Sequence, residues 1–182
     1  MSESEPMVPL SQAVRMLTTG FEWEAGLFVE TYRELCRRLG REVAKEILGR
    51  AMYRAGVRLG QEARAFGPAG GPRGMAAAWD VIYGMGTKEA ERLDDKRFII
   101  RGTNCGAYEL MKRWGLSAEE IRFLADAYCA GDVGHAEGFG GGEMHFQHTC
   151  RQMRGDSCCV WDFSTEPQEP SPAAVPTEDL KK

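Results

Sequence analysis

Between Pro72 and Pro167 the chain has no proline, so every break between elements in that stretch must be made by glycine or by polar turn residues. Glycine is abundant, with 22 among 182 residues, against an average usage of about 7%. The glycines gather at 67–74, at Gly84 and Gly86, and at 131–142. Glycine allows positive φ and close approach of one backbone to another, and these clusters are read as irregular segments between elements. Proline sits instead at the ends, with Pro6 and Pro9 near the start and Pro167, Pro170, Pro172 and Pro176 near the finish. Residues 1–10 and 164–182 therefore read as disordered tails around a single domain over 11–163.

Inside that domain the apolar spacing supplies the elements. Phe28, Tyr32, Leu35, Cys36 and Leu39 recur at helical intervals and predict a helix from Leu27 to Leu39, ended by Gly40. Val43, Ile47, Leu48, Ala51, Ala55 and Leu59 continue the pattern to about Ala65, with Gly67-Pro68 as the stop. Gly49, Gly56 and Gly60 on this second helix each cost about 1 kcal/mol relative to alanine, which points to close packing against another helix. A short helix over Met75–Tyr83 leads to a hairpin of Glu89–Leu93 and Lys96–Gly102 turning at Asp94-Asp95. Asn104 reads as the cap of a helix carrying Cys105 in its first turn, with Ala107, Leu110, Met111 and Trp114 on its apolar face. Ser117-Ala118-Glu119-Glu120 is a capping box opening a helix through Tyr128. After the glycine-rich segment, Glu143–Met153 and Ser157–Phe163 form a second hairpin around Arg154-Gly155-Asp156. The fold class is α+β: N-terminal helices packed on a mostly antiparallel sheet made of two hairpins, with a helical pair between them.

Charge and composition exclude several function classes. Lys+Arg 23 against Asp+Glu 27 leaves a net charge of -4, without the basic footprint of a nucleic-acid binder. No run approaches the length of a membrane helix, and the acidic opening Met1–Pro6 is unlike a secretory signal. The expected location is the cytoplasm. The six cysteines are then expected as free thiols, and none forms a C-x-x-C pair. No Walker loop, G-x-G-x-x-G helix start, G-x-S-x-G or H-E-x-x-H is present.

The polar candidates lie between Cys105 and Cys159. A thiol at a helix start is exposed to N–H groups and the helix dipole, which favour thiolate; the bland alternative is a small buried hydrophobe. Asp132 reads equally as a functional carboxylate or a turn cap. Cys158 and Cys159 are adjacent in a strand and must face opposite sides. His145 and His148, three apart, also lie on opposite faces, whereas His148 and Cys150 share one. A metal site from His148, Cys150 and a carboxylate has only this weak spacing behind it, so the metal assignment stays unknown and no cofactor is expected.

Several of these residues stand in an order that resembles a known family. Arg101-Gly102-Thr103-Asn104-Cys105-Gly106-Ala107-Tyr108-Glu109 looks like the strand-then-cysteine helix start of the L-2-amino-thiazoline-4-carboxylic acid hydrolase-like family. Tyr128-Cys129 with Asp132, Gly138-Phe139, and Thr149 with Gly155-Asp156-Ser157-Cys158-Cys159-Val160-Trp161 follow in the family's order, over about residues 25–163. Gly106 stands where the family often has proline. A more distant likeness is to vinyl-reductase-type small-ligand domains. The resemblance implies that water adds to the amidine carbon of 2-amino-thiazoline-4-carboxylate and opens the ring to a carbamoyl-cysteine. It implies Cys105 as nucleophile or proton carrier, Asp132 as amidinium partner or base and His145 as auxiliary acid or base. Arg101, Cys129, Phe139 and Cys159 would bind substrate. The expected partner is a small-molecule substrate, with no nucleic acid and no membrane; self-association into a homo-oligomer stays open. Two rival readings are a non-catalytic small-molecule-binding module, which Phe139, Phe146, Trp161 and Phe163 suit, and a metal-binding accessory protein.

Overall fold

A computed structural model describes residues 9–66, 70–83, 88–177 and 180–181. Two long helices come first, α1 (Leu10–Leu39) and α2 (Arg41–Phe66), separated by Gly40 at φ 83, whose N–H donates to Cys36 O at 3.0 Å. The α1 stripe Ala25, Phe28, Val29 and Tyr32 is buried. The helix begins well before the expected Leu27, and Met16 and Trp23 in its earlier half are exposed. The expected disordered start falls outside the described residues over 1–8, as does the Gly67-Pro68 stop. The shorter α3 (Gly71–Tyr83) follows.

The largest departure from expectation is α5 (Ala118–Gly140), which runs straight through most of the glycine cluster that looked irregular. Its glycines serve contact with α2. A Cβ built on Gly134 would lie 2.1 Å from Tyr53 O, and one on Gly138 would lie 2.0 Å from Val57 O. Reciprocally, a Cβ on Gly56 would lie 2.1 Å from Gly131 O and one on Gly60 2.2 Å from His135 O. Two helix backbones thus touch along a seam that any side chain would force apart. Glycine's turn-making freedom is used only past the helix end, at Gly141 (φ 60) and Gly142 (φ 90). The capping box forms as expected: Ser117 Oγ accepts from Glu120 N at 3.2 Å, and Glu120 Oε2 accepts from Ser117 N at 2.8 Å.

Four strands, β1 (Lys88–Leu93), β2 (Arg97–Gly102), β3 (His145–Cys150) and β4 (Cys159–Ser164), form one antiparallel sheet in the order β1-β2-β4-β3. The β1–β2 turn is held by Asp94 Oδ1, which accepts from Lys96 N and Arg97 N, both at 2.9 Å. The inner face, Phe98, Ile100, Cys159, Trp161 and Phe163, packs on Met75 and Trp79 of α3 and on Ala136 and Phe139 of α5. The short helix α4 (Gly106–Arg113) joins β2 to α5.

The outer face is not bare. The stretch expected as a disordered tail from 164 onward lies along the body over 165–177. Gln168 Nε2 donates to Asp162 Oδ1 at 3.0 Å, Ser171 N to Gln147 Oε1 at 2.9 Å, and Arg154 Nη1 to Pro172 O at 3.1 Å. Val175 is 7% exposed and joins the helical core. Polar composition suggested a tail, but the segment finds polar partners on the sheet. Among the described residues no helix is long and apolar enough to cross a membrane.

Candidate functional site

The chain leaves β2 at Gly102 and enters α4 at Gly106, which makes Cys105 the cap residue in place of the expected Asn104. Cys105 is half-buried. Its thiol is held below the ordinary cysteine value, first by hydrogen bonding with Cys159, which outweighs burial, and then by the backbone N–H groups of Tyr108 and Ala107. Cys159, the first residue of β4, is pushed far up by the same contact and by burial, so it is the protonated partner. Gln152 N donates to Cys159 Sγ at 3.4 Å. The two adjacent cysteines do face opposite sides: Cys158 is on the outer face, where Arg101 Nη1 donates to its sulfur at 2.8 Å.

Asp132 approaches from α5 and is 22% exposed. Its Oδ2 accepts from Trp161 Nε1 at 3.1 Å and pairs with His148 Nε2 at 3.2 Å. Burial opposes ionisation of this carboxyl, but His148, Trp161 and Lys88 together hold it below its usual value. One turn earlier on the same helix, Cys129 is buried, and burial pushes its thiol up.

Lys88 supplies the cation. It begins β1 opposite Gly102, with Nζ 5.3 Å from the Trp161 ring centre and 5.6 Å from that of Trp79. Burial lowers its pKa, while the negative charge of Asp132 and Cys105 opposes that shift. A side chain on Gly102 would meet the Trp161 ring at 3.0 Å and Lys88 Cγ at 3.5 Å, so the glycine is what lets these two close over the site.

Cys105, Asp132, Cys129 and Cys159 are therefore brought together. Other candidates are not. Arg101 points to the outer face, ion-paired with Glu91, so the sheet separates it from Cys105. His145 is exposed on that same side at the end of β3. Phe139 is fully buried in the core beneath the sheet. Cys150 does not share a face with His148: a bulge between them sets His148 opposite Trp161 and Cys150 opposite Val160, turning Cys150 outward. Lys88 carries no local signal in the sequence, and the pairing of His148 with Asp132 arises only from the placement of β3 beside α5.

An α+β domain that sets apposed thiols, a carboxylate–imidazole pair and a lysine at the inner edge of its sheet has the equipment of a nucleophilic or hydrolytic site. Residues 20–163 match the model of the L-2-amino-thiazoline-4-carboxylic acid hydrolase family, and the chain belongs to that family. Among curated proteins none matches the sequence.

Proposed function

We propose that the domain is a hydrolase that opens a small cyclic amidine or isothiourea, such as 2-amino-thiazoline-4-carboxylate, by attack at the amidine carbon. The observation that carries this reading is the Cys105–Cys159 contact within electrostatic reach of Asp132 and Lys88. Family membership supports the same substrate class.

The chemistry follows from the side chains. The Cys105 thiolate adds to the amidine carbon, and the ring carbon–sulfur bond breaks with its electron pair leaving on the ring sulfur. One thiolate is thereby exchanged for another, a nearly balanced step. Water then adds to the same carbon and gives a proton to the Asp132 carboxylate. The bond to Cys105 breaks, returning its thiolate, and the proton passes to the ring sulfur, so the product is substrate plus one water. Cys159 steadies the Cys105 thiolate through its S–H at the beginning and end of the cycle. Lys88 takes the substrate carboxylate, the role first given to Arg101, and His148 steadies Asp132, in place of an auxiliary role for His145.

The test is turnover of 2-amino-thiazoline-4-carboxylate followed as release of a new thiol. Folded Cys105→Ser and Asp132→Asn variants are expected to lose about 10²–10⁴-fold in rate. Undiminished turnover in both, or no ring opening by the wild type, would end the reading.

A further inference from the structure

Beneath the sheet, three donor atoms of different chemistry converge. The Cys129 sulfur, an Asp132 carboxylate oxygen and a His148 ring nitrogen all lie within 4.8 Å of one another. Two elements deliver them: α5 presents Cys129 and Asp132 one turn apart on one face, and β3 presents His148 on the inner face opposite Trp161.

We infer that Cys129, Asp132 and His148 bind a divalent transition-metal ion, with Zn2+ the best fit to the donors. In a tetrahedral zinc site with bonds of about 2.0–2.3 Å, neighbouring ligand atoms stand roughly 3.3–3.8 Å apart. Asp132 and His148 are already at 3.2 Å, and drawing in the sulfur needs a shift of about 1 Å, within reach of side-chain rotation. Thiolate, imidazole and carboxylate together select zinc over magnesium or calcium, which take oxygen donors. Three protein ligands leave a fourth position open, as in sites where the ion activates water.

The charges around the ligands also favour an ion here, with His148 itself only 1% exposed. Arg151, the cation beside Cys129, is matched by Asp126 at 2.7 Å, which leaves two anionic donors to balance a divalent charge. The ligand set excludes Cys105 and Cys159 but shares Asp132 and His148 with the ring-opening reading, and a test that reads bound metal lets either fail without the other.

The test uses the full chain and reads metal rather than turnover. Purified protein passed over a chelating column is expected to retain about one zinc per chain. Cobalt added to metal-stripped protein should give an intense visible spectrum of four-coordinate cobalt and a thiolate-to-cobalt charge-transfer band. Cys129→Ser should abolish that band and His148→Ala should lose the retained zinc, whereas Cys150→Ser should leave both unchanged. Folded wild-type protein that holds no zinc and gives no charge-transfer band would overturn the inference. So would a band that survives Cys129→Ser, or one that vanishes in Cys150→Ser instead.

Discussion

Cys105 differs from its neighbours through what donates to it. Cys159 and the first turn of α4 hold its thiol below the ordinary value, while Cys129 and Cys159 are pushed the other way. Removing a donor from a thiolate returns its pKa upward. In Cys159→Ala the pH midpoint of Cys105 alkylation should therefore rise, and alkylation at neutral pH should slow. A midpoint unchanged from wild type would show that Cys159 contributes nothing. A second residue-scale prediction concerns Asp162, which is 1% exposed and held by Arg97 at 2.5 Å. Arg97 is 36% exposed and Gln168 still donates to Asp162 without it, so losing the pair costs less than in a fully buried one, about 1–3 kcal/mol. Arg97→Met should show that loss in urea unfolding, and the double variant Arg97→Met with Asp162→Leu should recover part of it.

Element by element, the α2–α5 seam carries the sharpest expectation. In Gly134→Ala or Gly138→Ala the new methyl group would collide with a backbone carbonyl of α2 at about 2 Å, and backbone cannot swing aside as a side chain can. Overpacking of this kind costs about 1–3 kcal/mol or more, well above the gain of roughly 1 kcal/mol from better helix propensity. At Gly131 a Cβ meets the flexible end of Met52 at 3.4 Å and the Met52 carbonyl oxygen at an ordinary 3.7 Å, so Gly131→Ala should be near neutral or stabilising. Equal effects at the three positions in denaturant melts would contradict the seam. The α5 start offers a smaller test: Ser117→Ala removes the capping box and should cost about 1 kcal/mol.

At the scale of the whole molecule, the C-terminal segment closes the outer face of the sheet. Every residue of β4 is buried, although the helices cover only one side, because residues 165–177 lie against the other. Deleting residues 166–182 removes Gln168 from Asp162 and Val175 from the helical core. The truncated chain should melt several degrees lower, and an unchanged Tm would mean that this contact contributes nothing. Activity should persist in the truncated protein at temperatures where it is folded, since the Cys105 cluster lies on the opposite face.

The sequence by itself determined what local interactions decide. The α1 stripe ended by Gly40, the Ser117 capping box, the Asp94 turn and the opposed faces of Cys158 and Cys159 each depend on a few neighbouring residues, so they were legible. The meaning of the glycines between 131 and 140 was not, because a glycine that breaks a helix and one that admits a second helix look alike until the partner is known. The bulge that turns Cys150 away from His148 came from pairing with β4, and Lys88 joined the site only because β1 set it across from Gly102. Tertiary structure decided these points for one physical reason: each is a contact between segments far apart in the chain, and its energy exists only after the elements have packed.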